Sequence, residues 1–251
     1  MIADLVRRPF LSLLWLLIRG GSRTWPDFGP GPILVVAPHP DDAALGCGGW
    51  MLEAGQRGRD IHILCLTDGA ASHPGDPAWP EEQLRRVRRI EEQTAATHLG
   101  IPAERLHFFD WPDGRLEQLA QNEPGRVAEL ATFLESLRPS MVLVTARDEP
   151  SCEHRAACRM LYAAIEKSQL RPLVLEYAVW ARWSPPSLWR AMRGCREWHY
   201  HYVGPEERRS RASAVAAHAS QHAAPGLPGG FFQVFRRPEE VYFHYAKGFP
   251  S

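Results

Sequence analysis

The sequence lacks most of the features that would place it in a specialised class. Of its 251 residues only five are cysteines, and no two of them form a Cys-x-x-Cys pair, which argues against a disulfide framework and favours a reducing compartment. The 29 basic residues balance the 29 acidic ones, so no overall field would draw the chain to nucleic acid. Because 45% of the residues are hydrophobic, we expect one globular domain with its own core.

The N-terminus lacks a membrane-spanning segment and a typical signal peptide. Its apolar run, which ends at Ile18, is shorter than the roughly 20 residues that a spanning helix needs. No Ala-x-Ala cleavage pattern follows it. Residues 1–24 are therefore a helix docked on the domain, a mobile arm, or an interfacial helix that rests on a membrane surface. We expect residues 25–251 to form a single domain and the protein to be cytoplasmic. If residues 1–24 are an interfacial helix, the protein would also contact a membrane surface.

The rest of the chain alternates strand and helix patterns. Apolar strands are predicted at 33–37, 60–66, 105–109, 141–145 and 173–180, with helices at 42–57, 81–99, 125–137 and 154–167. This alternation indicates βαβ units and a mainly parallel sheet. An antiparallel strand over 197–203, a helix over 206–222 and a short strand over 241–245 complete the prediction, while 183–189 are predicted as a loop or cap.

One stretch concentrates chemistry-bearing side chains. The first strand runs directly into His39, Asp41 and Asp42, at the sheet edge where α/β proteins build their sites. A histidine and a carboxylate three residues apart suit a divalent metal, which leaves Asp41 free to act as a base. A Gly-rich turn, which a dinucleotide phosphate needs, is missing here. The other interpretation of this Asp-Asp pair is an ordinary helix N-cap.

A third ligand should follow another strand of the sheet. His154 opens a helix after the fourth strand, and Glu153 stands beside it. Together with His39 and Asp42 it would complete a set of two histidines and one carboxylate, which is the layout of a hydrolytic zinc site rather than a closed structural one. Taken alone, His154 would be a solvated histidine at a helix start.

Residues 33–245 resemble the PIG-L/LmbE-like zinc deacetylases, a family that removes acyl groups from N-acetylglucosaminyl lipids, thiol-sugar precursors and related amides. The resemblance implies an α/β fold, a Rossmann-like three-layer sandwich with a mostly parallel central sheet. It rests on Ala-Pro-His-Pro-Asp-Asp (37–42), Thr-Asp-Gly (67–69), Arg88-x-x-Glu91, Leu-Gly (99–100), Pro-Asp-Gly (112–114), Glu153-His-Arg-Ala156, Glu176-Tyr177-x-x-Trp180 and His218-x-Ser-Gln221.

The resemblance also implies roles for these residues. The zinc ligands would be His39, Asp42 and His154, and Asp41 would be the general base. Arg88 would contact the substrate, and the remaining family positions would bind substrate or support the ligands: Asp68 and Glu153. The implied activity is removal of an acyl group, expected to be acetyl, from the amide nitrogen of an N-acetylglucosaminyl conjugate. Zinc, or another divalent ion, would be the cofactor, and a small glycoconjugate the partner.

The sequence departs from the family pattern at three positions. Ala43 replaces an acidic residue, and Ser151 and Glu153 stand where the family commonly has a histidine and an aspartate. Serine cannot carry the charge of that histidine, so we expect His218 to supply the missing group. The departure leaves a second hypothesis open: a non-catalytic relative that binds a sugar or nucleotide on the same scaffold. Asp113 is predicted to be a turn residue.

Overall fold

A computed structural model describes residues 2–25, 29–222, 224–225, 227 and 231–246. The strands in these ranges are β1 (Ile33–Ala37), β2 (Ile61–Thr67), β3 (Leu106–Trp111), β4 (Met141–Thr145), β5 (Leu173–Tyr177), β6 (Glu197–Tyr202) and β7 (Glu239–His244). The helices are α1 (Ile2–Gly21), α2 (Asp42–Gln56), α3 (Glu81–His98), α4 (Leu116–Asn122), α5 (Pro124–Leu137), α6 (Cys152–Ser168), α7 (Pro185–Gly194), α8 (Pro205–Ala217) and α9 (Ala219–His222).

The strands form one seven-stranded sheet in the order β3-β2-β1-β4-β5-β7-β6. Strands β1 to β5 are parallel, and β7 runs antiparallel to both β5 and β6. The prediction of an α/β fold with a mostly parallel central sheet is thus confirmed. The strand order reverses at β1, which lies between β2 and β4. Such a switch point opens a crevice at the carboxyl ends of the strands.

Helices cover both faces of the sheet. Successive side chains of a strand point to opposite faces, and every residue of β1 is fully buried. Ile33 and Val35 pack with α2 and α8 on one face, while Leu34 and Val36 pack with α5 and α6 on the other. This explains why β1 is apolar throughout, as expected of a parallel strand covered on both sides.

The glycines of α2 allow it to approach its neighbours closely. A Cβ added to Gly46 would lie 2.2 Å from the Tyr177 ring, and one added to Gly49 would lie 2.3 Å from Val203. Glycine inside a helix costs roughly 0.5–1 kcal/mol relative to alanine. The close packing of α2 on β5 and on the end of β6 explains why the sequence accepts this cost at the helix that carries Asp42.

Helix α1 is docked on the domain along one side. Leu11, Leu14, Trp15 and Ile18 are buried in a cluster with residues of α7 and β7. Within the described ranges, no helix is long and apolar enough to pass through a bilayer. One side of α1 is thus docked on the domain, while the division of the chain into residues 1–24 and a single domain over 25–251 stays a prediction.

Three parts of the secondary structure differ from the sequence prediction. The predicted loop over 183–189 includes the start of α7, whose first residue is Pro185, a residue well suited to a first helical turn. The predicted helix over 206–222 is divided at His218 into α8 and α9. Helix α4 was not predicted, because its seven residues are too few to establish a helical period.

Candidate metal centre and active site

The polar residues predicted from the sequence meet at the crevice between β1 and β4. His39 follows β1, Asp41 and Asp42 lie at the start of α2, and His154 lies in the first turn of α6 after β4. All four line one cavity of about 360 Å³. Since β1 and β4 are hydrogen-bonded neighbours, residues far apart in the sequence come together at one sheet edge.

Three of these side chains bring atoms that can bind a metal close to one another. The Oδ2 atom of Asp42 lies 3.1 Å from Nδ1 of His39 and 3.3 Å from Nε2 of His154. Ligands at about 2.0–2.1 Å from a tetrahedral zinc ion stand roughly 3.3–3.4 Å apart. Nitrogen and carboxylate donors at this spacing fit a divalent metal, and three protein ligands leave positions for water and substrate.

A carboxylate holds the second ring nitrogen of each histidine. Nε2 of His39 lies 3.1 Å from Oδ1 of Asp113, and Nδ1 of His154 lies 3.1 Å from Oε2 of Glu149. Such partners fix the orientation and tautomer of metal-binding histidines. Asp113 was predicted as a turn residue, and its contact with His39 is an additional role that the sequence analysis missed, as it missed Glu149. The Pro-Asp-Gly motif at the end of β3 was the one sequence signal for Asp113.

Glu149 is itself held by backbone groups that follow β5. Its carboxylate accepts hydrogen bonds from the backbone N–H groups of Val179 (2.8 Å), Trp180 (2.8 Å) and Ala181 (3.0 Å). Glu149 follows β4, whereas its three partners follow the neighbouring strand β5. Val179 and Trp180 also line the cavity. The buried carboxylate of Glu149 thus connects the ring of His154 to the cavity wall through four donors.

Loss of this carboxylate should weaken metal binding. We expect Glu149→Gln to lower the metal affinity about 10–100-fold, because partners of ligand histidines typically contribute that much. Competition with a chromogenic chelator measures the affinity. Glu129→Gln is the matched control, because Glu129 accepts a hydrogen bond from Trp111 rather than from a histidine of the centre. Equal affinity in both variants would show that Glu149 does not orient His154.

The electrostatics of the cluster favour a bound cation. Burial by itself would lower the pKa of His154, but the facing carboxylates of Asp42 and Glu149 outweigh it and raise that pKa to about 9. Burial would raise the pKa of Asp42, yet the two imidazoles hold it far below its usual range. Buried carboxylates thus outnumber the imidazoles beside them, and a divalent ion would supply the positive charge that protons otherwise provide.

Asp41 occupies the N-cap position of α2 with an unusual backbone, and its side chain does not cap the helix. Its φ angle is 136°, and its side chain makes no capping hydrogen bond to α2. Strained backbone of this kind persists where surrounding structure enforces it and clusters at functional sites. Burial, aided by the negative charge of Asp42 and opposed by Arg88, raises the pKa of Asp41 to about 7. The ordinary N-cap interpretation is excluded, and the pKa suits proton transfer.

Arg88 holds Asp41 and the loop around it. It is buried on α3, donates hydrogen bonds to the carbonyl oxygens of Gly69 and Pro40, and places Nη2 3.3 Å from Oδ2 of Asp41. A Cβ at residue 69 would lie 2.5 Å from the guanidinium, and the φ of Gly69 is +67°. Arg88 also lines the cavity, so substrate contact stays a prediction alongside this positioning role.

Asp68 and Glu153 support the centre from different sides. Asp68 accepts hydrogen bonds from the backbone N–H of Asp113 (3.3 Å) and from Arg85 (2.8 Å), so it steadies the residue that holds His39. Glu153 lines the cavity, and its carboxylate can form an alternative donor group with His39 and Asp113. The set of His39, Asp42 and His154 fits better, because it offers the two imidazoles and one carboxylate of a hydrolytic zinc site, whereas the alternative offers only one imidazole.

His218, the predicted replacement for the missing histidine, is buried behind the cavity wall. It is fully buried between α8 and α9, lies outside the cavity wall, and has Nε2 3.5 Å from Oε2 of Glu92. Burial, together with the charge of Arg88, lowers its pKa to about 3. The ring is therefore buried and uncharged, and it does not line the cavity. The role of His218 as the supplier of the missing group stays a prediction.

The carboxyl group beside His218 should make stability depend on pH. Burial and the charge of Asp41 raise the pKa of Glu92 from 4.5 to about 8. A carboxyl with a raised folded-state pKa stabilises the fold below its unfolded value, and this contribution is lost as the pH rises through 4.5 to 8. Glu92→Gln removes the titration. We expect it to reduce the loss of unfolding free energy between pH 5 and pH 9 by on the order of 3 kcal/mol.

Urea unfolding of both proteins at a series of pH values measures this difference. The control is Glu82→Gln on the same helix, whose carboxylate is 60% exposed. Parallel stability curves for the natural protein and Glu92→Gln would show that Glu92 is ionised in the fold.

The rest of the cavity wall carries one small polar side chain, that of Ser151, and several apolar ones. Ser151 is the N-cap residue of α6, and its hydroxyl oxygen accepts a hydrogen bond from the backbone N–H of His154 at 3.4 Å. It lines the cavity at the position of the absent histidine. The apolar part of the wall consists of Leu45, Val179, Trp180, Leu227, Phe231 and Phe232. The site thus combines a charged floor with an aromatic and aliphatic rim.

Comparisons with known proteins agree with this architecture. Residues 34–165 match the family model PIG-L, described as GlcNAc-PI de-N-acetylase. A diacetylchitobiose deacetylase of Thermococcus kodakarensis is 33% identical over 113 residues, which are 45% of this chain and 39% of that protein. The matched parts cover 39% to 48% of the curated relatives' lengths.

Solved structures share the fold at low sequence identity. The A40926 pseudoaglycone deacetylase has a TM-score of 0.68 at 18% identity, covering 89% of this chain and all of that one. A 4-carboxy-2-hydroxymuconate hydratase of Pseudomonas putida has a TM-score of 0.67 at 16% identity, covering 88% and 98%. The fold therefore hosts more than one reaction, and the family rests on the sequence match, which spans more than half of the chain. On that match, the chain belongs to the PIG-L family.

Proposed function

We propose that this protein is a metal-dependent N-deacetylase of an amino-sugar conjugate. The observation that carries the proposal is the set of three ligand atoms on His39, Asp42 and His154, with the carboxyl of Asp41 beside it on the same cavity floor. The diacetylchitobiose deacetylase relative supports the substrate class. Zinc is the proposed ion, because the donors are two imidazoles and one carboxylate.

The reaction is hydrolysis of an amide. When bound, the metal would lower the pKa of a water molecule and polarise the acyl carbonyl group. Asp41 accepts a proton from the attacking water as the new C–O bond forms. It returns that proton to the nitrogen as the C–N bond breaks, which releases acetate and the free amine. A pKa near the working pH lets one carboxyl serve in both steps.

Other residues of the chain hold Asp41 and the metal ligands in position for these two proton transfers. Arg88 keeps the Asp41 carboxyl in place through a 3.3 Å contact, and Asp113 and Glu149 fix the two imidazoles. The aromatic side chains of Trp180, Phe231 and Phe232 line the cavity, where flat apolar faces suit the ring of a sugar. They also exclude water from one side of the site.

The test is acetate release from a panel of substrates by the zinc-loaded protein. The panel contains N,N'-diacetylchitobiose, N-acetylglucosamine and N-acetylglucosaminyl conjugates with lipid or organic-acid aglycones, and an N-acetylated amino acid is the control. We expect acetate from at least one amino-sugar conjugate and none from the control. A metal-loaded, folded protein that releases no acetate from any of them would refute the proposal.

The replacement of a histidine by Ser151 supports a second candidate, a sugar-binding relative without catalysis. The cavity wall offers only a hydroxyl group at that point. Under this hypothesis the protein binds diacetylchitobiose, as measured by calorimetry, but releases no acetate with or without zinc. Binding accompanied by turnover excludes it.

A further inference from the structure

The outer side of α1 exposes a continuous apolar surface. Phe10, Leu13, Leu16 and Leu17 are 43%, 51%, 68% and 46% exposed. Residues three, four and seven apart lie on the same side of a helix, so these four form one stripe, here called the outer stripe. It faces away from the buried Leu14 and Ile18 side, which packs on the domain.

Exposed apolar side chains are concentrated at this one place. Among the described residues, seven large hydrophobic side chains are exposed, and four of them belong to the outer stripe. Of the other three, Trp189 lies on α7, the helix against which α1 packs, while Ile90 and Tyr202 lie on other elements. Isolated exposed apolar residues are ordinary, but a contiguous patch marks an interaction surface.

The surroundings of the outer stripe are positively charged. Helices α1 and α7 together contain five arginines and one acidic residue, Asp4, although the chain as a whole carries no net charge. Arg19, Arg190, Arg193 and Arg196 are exposed. Cationic side chains at the margins of an apolar helix face are the pattern of helices that lie in the interface of anionic membranes.

We propose that the outer stripe of α1 inserts into the surface of an anionic lipid bilayer, with the exposed arginines of α1 and α7 on the lipid headgroups. The buried side of α1 fixes the helix on the domain, so its apolar outer side is presented without unfolding. The charge complementarity favours lipid over a second copy of this chain, whose corresponding surface would carry the same positive charge.

Vesicle binding by the full chain tests the proposal. We expect the protein to sediment with vesicles of phosphatidylcholine and phosphatidylglycerol in equal amounts and to bind much more weakly to phosphatidylcholine alone. The double variant Leu13→Ser/Leu17→Ser should lower the partition coefficient at least about tenfold. The matched control is Ile90→Ser/Tyr202→Ser, which removes two equally exposed side chains elsewhere and should bind as the natural protein does.

The electrostatic part has its own variant. Arg190→Gln/Arg193→Gln should weaken binding to the anionic vesicles roughly fivefold per arginine, and added salt should reduce the difference between the two proteins. Circular dichroism establishes that each variant is folded.

Two results would overturn the proposal. One is binding by Leu13→Ser/Leu17→Ser that equals that of the natural protein. The other is a natural protein that does not bind anionic vesicles and is a dimer in sedimentation equilibrium, while the Leu13→Ser/Leu17→Ser variant is a monomer. A second copy of the chain would then cover the outer stripe. Release of acetate from a soluble substrate is independent of both results, so failure here leaves the proposed activity untouched.

Discussion

Asp41→Asn should retain the metal and lose most of the activity. The asparagine side chain has nearly the same shape, can hydrogen-bond to Arg88, and leaves the three ligand atoms of the centre unchanged. It cannot accept a proton from water. Because general acid–base catalysis contributes about 10²–10⁴-fold, we expect kcat to fall by that factor while one metal ion per chain remains bound.

Steady-state acetate release and metal analysis on the same sample measure the two properties. Asp110→Asn is the matched control, since Asp110 also has a positive φ but is exposed and pairs with Arg89 on the surface. We expect this control to keep full activity. A normal kcat in Asp41→Asn would remove Asp41 from the mechanism, and simultaneous loss of the metal would make it a ligand.

His154→Ala should abolish stoichiometric metal binding and with it the activity. The substitution removes one of three ligand atoms and leaves the buried carboxylates of Asp42 and Glu149 without their shared partner. Two ligands from a single turn do not retain zinc against a chelator. We expect less than one tenth of an equivalent of metal after dialysis, as a rough limit for such a site, and kcat reduced to the background rate.

The loss of a buried partner can also destabilise the fold, so a second variant is needed. Asp42→Asn keeps the volume of the side chain and removes the charge that both imidazoles face; it should lose the metal in the same way. His107→Ala is the control, because His107 pairs with His62 on the sheet away from the centre. Stoichiometric metal in both folded variants would rule out the proposed ligand set.

Much of the architecture could be predicted because local patterns and global structure agree. The apolar strand 33–37 and the polar residues that follow it were predicted with the bounds that the structure shows. The expectation that strand ends gather the site brought His154 to His39 and Asp42 without knowledge of the strand order. The general rule for parallel sheets is sufficient for that step.

The differences between prediction and structure concern residues whose surroundings depend on distant neighbours. Glu149 has no motif of its own, and its importance comes from four donors, three of which lie about thirty residues later. Asp113 occupies a turn sequence that would be satisfied locally, yet its carboxylate reaches His39. His218 carries a motif that suggested chemistry, while packing between two helices buries it. The spacing of residues along the sequence does not predict which side chains are buried or form long-range hydrogen bonds.

The separation of the ligands along the chain has a thermodynamic consequence. His39 and Asp42 are three residues apart, whereas His154 follows Asp42 by 154 − 42 = 112 residues, so a metal shared among them would close a long loop. In an unfolded chain that closure costs conformational entropy, which grows by about 0.6 kcal/mol with each doubling of loop length. The sheet performs this closure when β1 pairs with β4. The ion would therefore bind the folded chain far more tightly than the unfolded one, and the centre would act as a cross-link that a chelator can remove.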